Sequence, residues 1–183
     1  MDKNNTPWKI LTRAKILHTS VFDIYEEKAV CPRNGKAGDF FVIDCPNSWV
    51  NIVALTPENE LVMIKQYRHG SKRFELEVPG GLVETGEGPE HAGLRELKEE
   101  TGFVGTKSRV IGKVCPNPAL QGNWCYTVLV EDAVKKFDTS FDEGEDIETL
   151  IVPVNEIDDK INDGIITHGI VLNSLLFYKQ LLV

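Results

Sequence analysis

The 183-residue chain has no run of about 18 apolar residues, the length a membrane-spanning helix requires. Its last apolar stretch, Ile170 to Val183, is broken by Asn173, Ser174, Lys179 and Gln180, and reads as a packed terminal helix. The opening residues, MDKNNTPWKILTRAK, lack the apolar centre of a signal peptide, so the expected location is the cytoplasm, with no membrane partner. Cysteine is scarce. Cys31, Cys45, Cys115 and Cys125 stand far apart with no C-x-x-C pair, which removes zinc and dithiol redox readings and leaves buried free thiols. Positive charge is also short: twenty Lys and Arg against twenty-eight Asp and Glu leave a net charge of -8. That balance disfavours nucleic acid and anionic membranes as partners, and an acidic protein that handles anions needs cations to mediate. No internal repeat or low-complexity tract is present.

What remains is the composition of an ordinary soluble protein, 42% hydrophobic and 26% charged, long enough for one domain with a real core or a domain with a small extension. The first eighty residues are dominated by short alternating or β-branched runs, SVFDIYEEKAV, DFFVIDC, WVNIVALT, ELVMIKQYR and FELEVPGG, which read as strands. Pro57, Glu58 and Asn59 between two apolar runs predict a hairpin over residues 49–67. After Pro79-Gly80-Gly81 the pattern turns helical from Pro89 to Thr101. Further strands follow in RVIGKVC, WCYTVLVE and ETLIVPV, then two closing helices near 155–162 and 168–182. Many strands with a few helices and no regular βαβ alternation predict an α/β fold built on a mixed sheet flanked by helices.

The helix over 89–101 carries an oddity. Pro89 suits the first helical position and Gly102 the left-handed cap. Glu96, Glu99 and Glu100 then share an arc of roughly 100° beside the inward ridge of Leu97, with Glu100 nearest the buried edge. Glu96 and Glu100 repel one another at i,i+4, and carboxylates in the last turn oppose the helix dipole by about 0.3 to 1 kcal/mol. Arg95, at i,i+4 from Glu99, offsets only part of this. A hard divalent cation removes the conflict, since Mg²⁺ or Mn²⁺ takes oxygen ligands from carboxylates and phosphates. Geometry alone leaves a metal seat and a solvated charged face both open.

The full spacing narrows the choice. Gly81, Glu87, then Arg95-Glu96-Leu97, Glu99-Glu100 and Gly102-Phe103 resemble the signature of the Nudix hydrolase family at nine fixed positions across residues 81–103. No Gly-Lys-Ser/Thr of a P-loop is present. The resemblance implies an α/β/α sandwich with a mixed sheet and a loop-helix-loop motif. It also implies hydrolysis of a nucleoside diphosphate linked to another moiety, with Mg²⁺ or Mn²⁺ as cofactor. By that resemblance Glu96, Glu99, Glu100 and the carbonyl of Gly80 are metal ligands, and Glu87 and Arg95 are an orienting pair.

Outside the box the likeness is to members acting on ADP-ribose and related nucleoside diphosphate sugars. KQYRHG resembles that group's Q-Y-R strand end, where Arg68 would contact substrate. CPNPALQGN puts Pro118 sixteen residues after Gly102, where those members carry a substrate-lining proline, although the usual Ser-Pro-Gly followed by an acidic residue is absent. DEGEDIE resembles the family's mobile loop, with Glu145 a metal ligand and Glu143 the general base; alone it reads equally as a solvated connection. The histidines form no ligand spacing, and Trp49, Phe74 and Trp124 sit in strand patterns that favour core packing over base stacking. The resemblance further implies that residues 1–45, as N-terminal strands before a hydrolase domain over 46–183, build a homodimer. Dinucleotide polyphosphates, coenzymes or capped RNA are alternative substrates, and a nucleotide sensor without catalysis is the alternative of another class.

Overall fold

The computed structural model describes residues 6–141, 144 and 146–182, and these fall into two compact units. The smaller is drawn from Met1–Pro46 and Asn117–Asn123, the larger from Asn47–Pro116 and Trp124–Val183.

In the smaller unit β1 (Lys9–His18), β2 (Asp23–Val30) and β3 (Ala37–Asp44) form an antiparallel meander in the order β1-β2-β3. Thr19 closes the first turn: its hydroxyl accepts the N–H of Phe22 at 2.9 Å and donates to the Phe22 carbonyl at 2.6 Å. Arg13 crosses the sheet to reach Glu27 at 3.1 Å and Asp44 at 2.9 Å. The Asn117–Asn123 segment joins this unit where the Ile43 N–H donates to the Leu120 carbonyl at 2.7 Å. Every residue of β1 is exposed, Ile10, Leu11, Ile16 and Leu17 among them.

The larger unit contains β4 (Trp49–Leu55), β5 (Glu60–Arg68), β6 (Arg73–Glu77), β7 (Gly80–Leu82), α1 (Pro89–Thr101), β8 (Phe103–Val104), β9 (Lys107–Val114), β10 (Cys125–Glu131), β11 (Val134–Lys135), β12 (Ile147–Pro153), α2 (Ile157–Asn162) and α3 (Gly169–Lys179). Its main sheet runs β12-β5-β4-β10-β9, with β6 paired to β5 and β7 to β4. The pairing of β4 with β10 is parallel and the others are antiparallel, so the sheet is mixed. β4 and β5 are the hairpin read from the sequence, with Asn59 at φ 61° in its turn.

The period of two along the central strands divides the core. Val50, Ile52 and Ala54 of β4, with Val128 and Val130 of β10, pack against Ala92 and Leu97 of α1. Val53 and Leu129 face the other way, against Ile157, Val171, Leu175 and Tyr178 of α2 and α3. Helices therefore cover both faces, and this is the α/β/α layering expected. The polar exceptions on the α3 side are satisfied together: Asn51 donates to Ser174 Oγ at 3.1 Å, and Thr127 Oγ1 lies 2.9 Å from the same hydroxyl.

Candidate active site

The short strand β7 is the platform. Gly80 pairs with Asn51 of β4 and Gly81 with Val50. A side chain on Gly80 would stand 2.5 Å from the Val50 carbonyl, so backbone must meet backbone here. On the other side β7 meets α1. The Gly80 N–H donates to Glu100 Oε2 at 3.0 Å, and a Cβ on Gly81 would stand 2.3 Å from Glu96 Oε1. Two carboxylates one helical turn apart thus rest on two consecutive glycines. Glu100 is only 2% exposed and the Glu96 side chain 12%.

Arg95 binds this group from the flank. Its Nε and Nη2 donate to the two oxygens of Glu87 at 3.2 and 3.0 Å, Nη1 donates to Glu96 at 2.9 Å and Glu99 at 3.1 Å, and Nη2 also reaches the Leu82 carbonyl at 2.9 Å. Hydrogen bonding from Arg95 holds the Glu87 carboxyl below its ordinary pKa. Hydrogen bonding to Glu87, opposed by partial burial and reinforced by Glu96 and Glu99, pushes the guanidinium's own pKa up. Glu87, Glu96 and Glu99 nonetheless set three carboxylates around one guanidinium, with Glu100 one helical turn from Glu96 on the Gly80 N–H. Among the described residues no three His, Cys, Asp or Glu side chains form a ready-made metal cage; Glu96 and Glu99 bind Arg95, and Glu100 accepts the Gly80 N–H.

The end of α1 is equally well fixed. Gly102, at φ 74°, donates its N–H to the Lys98 carbonyl at 2.8 Å. A side chain there would stand 2.1 Å from the Phe137 carbonyl. Lys136 and Phe137 donate back to the Gly102 carbonyl, and the Ser140 N–H donates to the Glu99 carbonyl at 2.8 Å. The acidic loop therefore departs from the helix end that carries Glu99 and Glu100. Glu143 and Glu145, the expected base and ligand on that loop, lie outside the described residues.

Gly80 and Gly81 also line a cavity of about 660 Å³. Arg68 stands on its wall, held by two 2.8 Å hydrogen bonds from Nε and Nη2 to the oxygens of Glu77, while its side chain stays 41% exposed. Burial works to raise the Glu77 pKa, but Arg68, with His168 at 3.1 Å, outweighs it and brings the carboxyl down to about 2. Beside it Arg73 donates to Glu75 at 2.7 Å, and Thr167 donates to the other Glu75 oxygen at 3.0 Å. Thus Arg68 shares the cavity with the glycine strand, whereas Pro118 belongs to the other unit.

Sequence reasoning passed over Glu75, Glu77 and Thr167, and set His168 aside because it forms no ligand spacing with the other histidines. The available signal was FELEV, in which two acids alternate through an apolar strand: Glu75 and Glu77 are buried beside Leu76 and Val78. The aromatic residues also differ from expectation. Phe74 and Trp124 are 59% and 41% exposed instead of packed in the core. Phe74 lies near the free end of the β5–β6 hairpin, edge-on to Tyr67 and beneath Lys65, and Trp124 lies beneath Lys113. An aromatic face beside a flexible ammonium is a stable surface arrangement, so neither ring needs the core.

Comparison with known proteins bears on this geometry. Residues 47–169 match the NUDIX domain family. An ADP-ribose pyrophosphatase of Bacillus subtilis is 32% identical over 149 residues, covering 81% of this chain and 80% of that protein. An ADP-sugar pyrophosphatase of Mus musculus is 30% identical over 141 residues, covering 73% and 61% respectively. A crystal structure described as an ADP compounds hydrolase superposes with a TM-score of 0.88 over 97% of this chain and 95% of that one, at 22% identity, a likeness of fold.

Proposed function

The chain belongs to the Nudix family, and from that premise we propose that it is a pyrophosphohydrolase that cleaves ADP-ribose or a related nucleoside diphosphate sugar into a nucleoside monophosphate and a sugar phosphate. The observation that carries this reading is the double use of Gly80-Gly81, which supports Glu96 and Glu100 on one side and lines the 660 Å³ cavity on the other. A cavity of this size suits a ligand of nucleotide-sugar dimensions.

Enzymes of this family work with a divalent metal, which we take to be Mg²⁺, with Mn²⁺ as a substitute. The donor set fits such an ion: it is all oxygen, carries surplus negative charge, and rests on a glycine cradle that a single Cβ at Gly81 would fill. Glu96, Glu99, Glu100, the Gly80 carbonyl and Glu145 are the ligands we assign. When bound, the metal neutralises the diphosphate and lowers the pKa of the attacking water.

The chain's own residues do the rest. Arg95, fixed by Glu87, holds Glu96 and Glu99 in one orientation, so the ligands do not have to be ordered at the moment of binding. Arg68 contacts the substrate from the cavity wall, and Pro118 contributes to substrate binding. Glu143 takes the proton from water as its oxygen bonds to phosphorus and the bridging P–O bond breaks, the departing phosphate leaving as the second product.

The acidic balance and the four free cysteines are consistent with work in the cytoplasm, and no helix among the described residues is long and apolar enough to cross a membrane. A strand exposed on both faces with half-exposed Ile10, Leu11, Ile16 and Leu17 lacks a core of its own, which supports a homodimer built through residues 1–45. The substrate is tested by a panel with Mg²⁺: ADP-ribose should give the highest kcat/KM. Much faster cleavage of a dinucleotide polyphosphate, a GDP-sugar or a capped RNA would overturn the substrate while leaving the reaction class.

A further inference from the structure

The cavity has a second wall, outside the carboxylate box. It is formed by the β5–β6 hairpin and by Thr167 and His168, which precede α3. Glu75 and Glu77 are two residues apart on β6, so both project to the same side of the strand. Each has its own arginine and its own contact before α3: Arg73 and Thr167 for Glu75, Arg68 and His168 for Glu77. This wall is therefore balanced in charge, with no surplus positive charge for a phosphate. It calls for a neutral partner.

His168 supplies the means. A carboxylate bound by an arginine through both oxygens is ionised and can only accept, and its four lone-pair positions leave room for a third donor. Nδ1 of His168 is buried with Glu77 Oε2 3.1 Å away, a close contact whose angle falls short of a well-formed hydrogen bond. Beside an acceptor-only carboxylate the tautomer of the neutral ring with the proton on Nδ1 is the favoured one, and it leaves Nε2 as an acceptor. Nδ1 is fully buried while the side chain is 35% exposed, so the exposed part of the ring is the edge away from Nδ1, on the cavity wall.

We propose that His168 is a substrate-binding residue whose Nε2 accepts a hydrogen bond from a sugar hydroxyl of the bound nucleoside diphosphate sugar, with Glu77 as the positioning residue that fixes its ring and tautomer. The proposal rests on the cavity being the substrate pocket. Phosphates belong at the glycine strand, beside the cation seat; an acceptor would repel them and instead selects an O–H donor.

Two substitutions separate binding from structure, because Asn offers a polar group near the position of Nδ1 and Gln one near that of Nε2. With the nucleoside diphosphate sugar that the wild type hydrolyses fastest, His168→Asn should raise KM about tenfold and leave kcat within about twofold, the value of one neutral hydrogen bond. His168→Gln should restore most of the affinity. A readout independent of folding uses the wild type with analogues that each lack one sugar hydroxyl. One analogue should show a similar rise in KM, and His168→Asn should add little to it. Unchanged KM in His168→Asn, equal loss in the Asn and Gln variants, or analogues that all bind like the parent would each overturn the assignment. A wild type inactive on every substrate of the panel would instead overturn the functional reading, and this proposal with it.

Discussion

Two sets of glutamates, one on and before α1 against the Gly80-Gly81 strand and one on β6 lining the cavity, are paired by opposite rules. Around α1, Glu87, Glu96 and Glu99 share the guanidinium of Arg95, Glu100 accepts the Gly80 N–H, and the helix dipole works against Glu96, Glu99 and Glu100. On β6, Glu75 and Glu77 each have an arginine of their own. Both sets are hydrogen-bonded, and both include a carboxylate about 2% exposed, so burial does not distinguish them. Charge balance does. A surplus held in place by backbone and glycine contacts suits the cation seat we propose, whereas a balanced set is a wall whose orientation is fixed. The contrast also separates the two arginines: Arg95 holds Glu87, Glu96 and Glu99, and Arg68 holds Glu77 on the cavity wall.

The strongest way to break the contrast is Glu100→Gln. The amide carbonyl can still accept the Gly80 N–H, so the fold should survive with Tm shifted by only a few degrees, while the charge is lost. Hydrolysis should fall by at least about a hundredfold, the range seen when a metal's protein support is removed. Steady-state kinetics with Mg²⁺ measures it, and unchanged turnover would remove the cluster from the mechanism. Gly81→Ala is the subtler version. The new Cβ would meet all three atoms of the Glu96 carboxyl group within 2.7 Å, yet that group is the end of a flexible side chain, so Glu96 should swing away while the strand holds. Half-saturation by Mg²⁺ should move up about tenfold with Tm nearly unchanged. A large loss of Tm with normal metal dependence would show that Gly81 is needed for the strand and not for the seat.

The surplus set could be read in the sequence because its constraints are local. Nine positions in residues 81–103, a proline at the helix start and a glycine at its end specify which side chains share a face. The pairs Glu87–Arg95 and Arg95–Glu99 follow from helical spacing and a short turn. The mixed sheet was legible for a similar reason, since each strand shows its own alternation. The balanced set was not legible. Its members come from β5, β6 and the turn before α3, so Glu77 and His168 meet across a separation of 91 positions in the chain. Nor does any local pattern tell that Asn117–Asn123 joins the N-terminal strands, an association made by backbone bonds at Ile43. FELEV did carry a trace, since acids placed in a buried strand must have partners, but it does not say which.

Only a small effect on turnover is expected from Glu77→Gln, and it sharpens the contrast through stability. Loss of a balanced wall pair should leave kcat within about threefold. The stability effect should depend on pH in a defined direction. The folded-state pKa of Glu77, about 2, lies below the ordinary value of 4.5, so the unfolded chain binds the proton more readily. The resulting stabilisation is fully present above the unfolded value and is lost as pH falls through the folded one. Wild type should therefore exceed Glu77→Gln in unfolding free energy near pH 6, and the gap should shrink by on the order of 3 kcal/mol on going to pH 2. Urea titrations of both proteins across that range measure it. A gap independent of pH would mean that the buried carboxylate is not held ionised by Arg68, and the distinction between a balanced wall and a surplus seat would lose its electrostatic basis.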